Sequence, residues 1–210
     1  MVFVDHDEGG VGAAFGVEED LRGPGFAIVG LPDKAVSEAR DRIRAVLNNL
    51  SLALPAKKIT INLTPADLPK TGSLFDLAIA LALLAALEVV PRDAVGEAIA
   101  TGGLSLDGRL NPVIGALSAA LKAAKLGKAL HCPAACGVEA AWVEAAKVIT
   151  APNLLQMIHH LNGRRPIEPA KPGEMTSLHM GPDLREVKGQ ERAKSALEIA
   201  AVGRHHMMMV

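Results

Sequence analysis

A single serine stands at the head of a long apolar run. In PADLPKTGSLFDLAIALALLAALEVV, residues 65–90, a Pro/Gly/Lys loop leads through Ser73 into a segment with almost no polar side chain. Two chemistries are open to a serine so placed. It is a nucleophile at the mouth of a buried helix, or an N-cap whose hydroxyl oxygen accepts an N–H of the first turn. Asp76 lies three residues on and is placed to reach back as in a capping box, although Glu or Gln is more usual there. The cap is the expected role.

Two other groups of residues carry chemical potential. Arg40, Arg44, Lys57 and Lys58, joined by Lys34 and Arg42, form a local basic concentration. Such a patch touches DNA phosphates with salt-dependent affinity. It is equally a solvated helix face offset by Asp33, Glu38 and Asp41, and no aromatics are interleaved for base stacking. His131, Cys132 and Cys136 in HCPAAC, with His159-His160, invite the thought of zinc. A structural zinc site needs four ligands at suitable spacing, and no second Cys/His pair supplies them. Adjacent histidines on a helix also point in different directions. No metal is expected.

These residues sit in a chain of 210 residues, half of them hydrophobic, with positive mean hydropathy. Aromatics make up only 2% and there is no tyrosine, so the core must be aliphatic. The net charge of −1 creates no global field for nucleic acid or membrane. The longest charge-free apolar run, Leu77 to Leu87, is far shorter than the ~18 residues of a membrane helix. MVFVDHDEGG is acidic where a signal peptide is basic. The two cysteines read as reduced thiols, and a cytoplasmic, membrane-free protein is expected.

The elements follow from periodicity. PDKAVSEARDRIRAVLNNL is an amphipathic helix with Val36, Ala39, Ile43, Val46, Leu47 and Leu50 on one stripe and Arg40 and Arg44 on the other face. KKITINL alternates as a strand, with Ile59, Ile61 and Leu63 on one side. Leu74 to Leu87 is apolar all round, as in a helix enclosed by its domain. AIATGGLSLDGRLNPVIG reads as two strands turning at Asp107-Gly108. GALSAALKAAKLG is a helix stopped by Gly127. The strand KALHCP, a helix around GVEAAWVEAA with Trp142 packed on the sheet, the strand KVITA and the helix NLLQMIHHL follow. This alternation over residues 26–161 predicts an α/β class with a mixed sheet. RRPIEPAKPGEMTSLHMGPDL, with four prolines, reads as a linker. Beyond it come a loop, a helix over 191–202 and, in HHMMMV, the beginning of a strand.

Four separated blocks together resemble one family. GLPDKAVSEARDRIRA, KKITINLTPADLPKTGSLFDLAIAL, GGLSLDGRLNPVIGAL and DLREVKGQERAKSALEIAAVG occur in the order found in the magnesium-chelatase-like AAA+ proteins of the ComM/YifB type, over most of residues 28–203. The resemblance implies a Lon-protease-like front domain of the ribosomal-protein-S5 kind over 1–163, a Pro-rich linker over 164–182 and the start of an AAA+ ATPase module over 183–210. It implies a ring-forming ATPase of the cytoplasm that acts on DNA in competence and recombination. ATP and Mg²⁺ would serve the full-length parent. The phosphate-binding pattern G-x-x-x-x-G-K-[ST] would follow HHMMMV, beyond the final Val210, so no bound cofactor is expected in this chain. Val187, Lys188, Gly189 and Gln190 match the segment that lies beside adenine in AAA+ proteins.

Lon-like peptidases pair a serine nucleophile with a lysine base, which must be held neutral by burial. With Pro69 to Gly72 in register with their PKDG-like loop, the nucleophile position falls on Leu74, one residue past Ser73. The lysine position falls on Ser118, with Lys122 one turn further along. Both positions lack the expected residue, so the resemblance implies a domain without proteolysis. The alternatives are a peptidase using Ser73 with Lys70 or Lys122, and a motor subunit for metal insertion into a porphyrin.

Overall fold

Asp33 starts the first helix. Its backbone is extended and its carboxylate accepts the Val36 N–H at 2.7 Å, which satisfies a donor that the helix itself leaves open. Helix α1, Lys34–Asn49, then buries Val36, Ala39, Ile43, Val46 and Leu47, the stripe expected from the sequence. Strand β4, Lys58–Thr64, buries Ile59, Ile61 and Leu63 as the alternation requires. The computed structural model describes residues 3–5, 12–20, 25–52, 54, 58–64, 69–173 and 183–208. The chain divides into two compact units, Met1–Gly173 and Glu174–Val210.

The first unit is built on a mixed seven-stranded sheet. Before β4 come β1 (Phe3–Asp5), β2 (Gly12–Asp20) and β3 (Gly25–Val29). After it come β5 (Ala98–Ala100), β6 (Gly103–Leu104), β7 (Leu110–Asn111), β8 (Ala129–Pro133) and β9 (Lys147–Ala151). The strand order is β3-β4-β2-β1-β5-β8-β9, with β6 and β7 forming a separate hairpin. Strands β1 and β2 pair antiparallel, as do β2 and β4, whereas β3–β4, β1–β5, β5–β8 and β8–β9 are parallel. The α/β class with a mixed sheet is therefore the observed one.

Helix α2, Asp76–Ala86, is buried on every side, from Asp76 to Ala85. It lies in the larger of two apolar clusters, with α1, β4 and α6 (Leu154–Leu161). A second cluster joins Ile99, Leu130, Cys132 and Val148 to α4 (Ala116–Leu126) and α5 (Ala134–Ala140). Alternate residues of β5 and β9 thus feed the two clusters, as the two-residue period of a strand demands, while β8 gives Leu130 and Cys132 to the smaller one. A short helix α3, Arg92–Gly96, links α2 to β5. Gly127 ends α4 at φ 64°, the left-handed residue foreseen.

Two expectations fail in this region. The helix expected around residues 137–146 begins at Ala134 and ends at Ala140. Pro133 supplies φ −60°, so the helix opens directly after β8. Gly137 lies against Thr150 so closely that a side chain there would collide with the threonine methyl. Trp142 therefore falls past the helix end and is 46% exposed, and does not pack a helix on the sheet.

The stretch 164–173, expected as the first part of a linker, is bonded to the first unit. The Ile167 N–H donates to His160 Nδ1 at 2.8 Å and the Ala170 N–H to the Val148 carbonyl at 2.8 Å. In the second unit, Asp183 caps a 3-10 turn at Leu184–Glu186 and helix α7 spans Glu191–Gly203. Residues 205–208 of the expected strand HHMMMV are not in a strand, and 209 and 210 lie outside the described residues.

Candidate functional site

The loop that carries Ser73 is tied to its neighbours at several points. Leu31 and Lys70 share a backbone bond, the Lys70 N–H donating to the Leu31 carbonyl at 3.1 Å, and the Asp33 N–H donates to the Lys70 carbonyl at 2.9 Å. The second oxygen of the Asp33 carboxylate accepts the Gly72 N–H at 3.0 Å. One carboxylate therefore caps α1 and clamps the Pro69–Ser73 loop. Gly30 makes the approach possible: its φ is +104°, and a Cβ there would overlap the Leu63 carbonyl oxygen.

Ser73 does not cap α2. It opens a 3-10 turn, Ser73–Phe75, whose cap position is Gly72, and the cap position of α2 is Phe75. Neither cap is closed by a side chain among the described residues. Entering the helix through a 3-10 turn moves its first N–H groups away from the serine hydroxyl. The exposed Ser73 hydroxyl lies beside Gly103, 3.3 Å from where a Cβ on that glycine would stand. Ser73→Ala should therefore shift stability by less than about 0.5 kcal/mol. A loss of about 1 kcal/mol or more in urea unfolding would restore the capping role.

Asp76 does not close a capping box either. Its side chain is 0% exposed and forms a bidentate pair with Arg42, Nε to Oδ2 at 2.8 Å and Nη2 to Oδ1 at 2.9 Å. The Leu104 N–H donates to Oδ2 at 3.1 Å. Burial pushes the Asp76 carboxyl above its ordinary value, against the opposing pull of the Arg42 bond and charge. Arg42 is in turn held above its ordinary value by its bond to Asp76. With both oxygens engaged, this carboxylate fastens α1, α2 and the β6–β7 hairpin together. Arg42 thereby leaves the basic patch to which the sequence assigned it. A signal for the pair was present, since Arg42 falls beside Ala39, Ile43 and Val46 on the apolar stripe, where a charge must find a partner.

The peptidase candidates are arranged as follows. Lys70 is 3% exposed, in the loop three residues before Ser73. Lys122 is half-buried on α4. At the matched positions, Leu74 is half-buried and its carbonyl accepts from the Gly102 N–H at 2.9 Å, while Ser118 is exposed on α4. The exposed Arg40 and Arg44 lie on the outer face of α1, and the exposed Lys58 opens β4. Lys57 lies outside the described residues. Arg40 pairs with Asp41 at 3.1 Å and Lys34 with Glu38 at 3.9 Å, so part of the basic charge is offset locally.

Val187, Lys188, Gly189 and Gln190 are all exposed, and the last two adopt left-handed backbone at φ 74° and 61° before α7 begins. The thiols are buried: Cys132 is pushed up to about 12 by burial, and Cys136 is also raised. Both are protonated and poorly nucleophilic. Among the described residues, no three His, Cys, Asp or Glu side chains group as metal ligands. No helix among them is long and apolar enough to cross a membrane.

Comparison with known proteins agrees with this architecture of two units. The family described as subunit ChlI of Mg-chelatase matches residues 17–135, and magnesium chelatase, subunit ChlI, matches residues 183–210. The chain belongs to this magnesium-chelatase ChlI family. It is 41% identical over 187 residues to the uncharacterized protein YifB of Escherichia coli, covering 89% of this chain and 37% of that protein. It is 38% identical over 192 residues to the competence protein ComM of Haemophilus influenzae, covering 89% of this chain and 38% of ComM. An uncharacterized Mycobacterium tuberculosis protein is 38% identical over 196 residues, covering 92% of this chain and 39% of its own length. Within the family the chain is of the ComM/YifB type, and it spans 37% to 39% of the length of these relatives.

Proposed function

We propose that this chain is the non-proteolytic front part of a ComM-type AAA+ ATPase that acts on branched or single-stranded DNA in recombination and natural transformation. The first unit is a Lon-protease-like domain whose role is to assemble a ring and line its DNA channel. The observation that carries the reading is the order of the two family matches, with residues 183–210 matching the magnesium chelatase subunit after a front unit of the same family. The name of the Haemophilus influenzae relative supplies the link to competence. Loss of proteolysis is supported by Leu74 and Ser118 at the matched positions. In the longer protein, Val187, Lys188, Gly189 and Gln190 lie beside the adenine of ATP. Gly189 leaves room for its close approach, since a Cβ at that position would meet nothing within 4 Å. ATP with Mg²⁺ would supply the phosphate chemistry at the phosphate-binding loop of the longer protein.

On the DNA side, Arg40, Arg44, Lys57 and Lys58 contact phosphates. This chain should bind a short DNA duplex weakly, with an affinity that falls steeply with salt. Replacing Arg40 and Arg44 by alanine should lower the slope of log K against log salt by about two. Tight, salt-insensitive binding would sink the phosphate model. The decisive test uses a full-length parent protein and measures ATP hydrolysis with and without branched DNA, together with unwinding. Stimulated hydrolysis with strand movement is expected. Hydrolysis indifferent to every DNA form, or peptide cleavage abolished by Ser73→Ala, would overturn the reading.

A further inference from the structure

Ten residues after α6 close over an edge of the sheet, and one histidine holds them. The His160 imidazole accepts the Ile167 N–H on Nδ1, so its proton resides on Nε2. Beyond this bond, Ile167 packs against the larger apolar cluster and Ala170 against the smaller. The Ala170 N–H donates to Val148 on β9, the last strand of the sheet, and so covers part of an otherwise open edge. The turn that leads into the strap is fixed by Arg164 and Arg165 N–H groups on the His159 carbonyl and by the Asn162 amide on the Val89 carbonyl at 3.0 Å.

We propose that residues 164–173 form a proton-released strap, in which protonation of His160 replaces the acceptor of the Ile167 N–H with a donor and frees the strap from α6 and β9. A protonated imidazole has two N–H groups and no lone pair in the ring plane, so the bond to Ile167 cannot survive it. The groups around the ring oppose its charging. His131 on β8 meets it edge-on with ring centroids 6.1 Å apart, and Lys147 at the start of β9 repels a second cation. Its neighbours along the chain are His159 and the cationic Arg164 and Arg165. Burial first and Lys147 second hold His160 below its ordinary 6.5, so the strap is closed at neutral pH and opens on the acid side. Release lifts Ile167 and Ala170 off the two apolar clusters and adds residues 164–173 to the chain that follows the first unit.

Amide protection factors from NMR hydrogen exchange test this on the whole chain. Between about pH 7.5 and about pH 5, the Ile167 and Ala170 amides should lose protection by about tenfold or more. The Leu77 amide, bonded to the Gly102 carbonyl inside the core, follows the stability of the whole unit and should stay better protected than Ile167 at both pH values. His160→Asn places a non-titrating oxygen near the Nδ1 position and should keep Ile167 protected at both pH values. The strap is not proton-released if Ile167 protection is the same at both pH values, or equals that of Leu77 throughout. Loss of protection with acid in His160→Asn, to the extent seen in the parent, would overturn the proposal as well.

Discussion

Arg42→Ala should destabilise the first unit by about 3–5 kcal/mol in urea unfolding, because it strands a fully buried carboxylate. The effect has a pH signature. Burial already holds Asp76 above 3.8, and the Arg42 bond and charge are what oppose it. Without Arg42 the folded-state value rises further. A carboxyl whose folded value exceeds its unfolded value favours the fold below the unfolded value, and that benefit is lost as pH rises through the folded one. The deficit of Arg42→Ala should therefore be largest at neutral pH and narrow on acidification. Combining Arg42→Met with Asp76→Leu removes both charges and should recover much of the loss, although the Leu104 N–H then lacks its acceptor. A deficit below about 1 kcal/mol, or one equal at all pH values, would mean that the pair does not hold the three elements.

Acid should unfold the first unit through His131. This imidazole is 3% exposed, and its Nδ1 has no hydrogen-bond partner among the described residues. Burial above all, then the charges of His160 and Lys147, lower it from 6.5 to about 4. The fold thus favours neutral His131. The contribution is fully present above 6.5 and is lost as pH falls from there to about 4. It amounts to about 3 kcal/mol, or roughly 6–12 °C of melting temperature for a chain of this size. His131→Leu has no proton to take up and should flatten this limb while leaving neutral-pH stability similar or higher. Thermal melts of both proteins at about pH 7 and about pH 4.5 decide the matter. Parallel pH dependence in the two would exclude His131 as the source.

Why some of this was legible in the sequence and some not comes down to range. Helix α1, strand β4, the hairpin at Asp107-Gly108 and the stop at Gly127 are set by residues within a few positions of one another, and each stands where the periodicity placed it. Helix α2 is also where its composition put it, but its entry is not. The rule for capping assumes that the chain enters a helix directly, and here a 3-10 turn intervenes and Ser73 loses the cap. The partner of Asp76 lies 34 residues away, so local rules sent it to the nearest backbone. Trp142 failed for a related reason: GVEAAWVEAA has helical composition, but the close seat of Gly137 on Thr150 and the early start after Pro133 fix where α5 runs. The Pro-rich look of residues 164–173 described their lack of periodicity correctly and said nothing of the side chain and strand edge that hold them. The arrangement of the first 25 residues was not legible at all, because β1 finds its second neighbour in β5, across nearly half the chain.

That last pairing governs how the protein can be handled. In many domains the first strand can be trimmed or tagged with little effect, since termini sit at the rim. Here β2 and β1 occupy the middle of the sheet, between β4 on one side and β5 on the other. They are the seam that joins the β3–β4 half to the β5–β8–β9 half. Removing about 20 residues from the front would not shorten the sheet but cut it in two, leaving two half-sheets with raw edges. During synthesis the seam strands emerge well ahead of β5 and must wait for it before the second half has anything to join. Assembly of the first unit is therefore a closing of distant halves around its earliest segment, and is expected to be slow for its size.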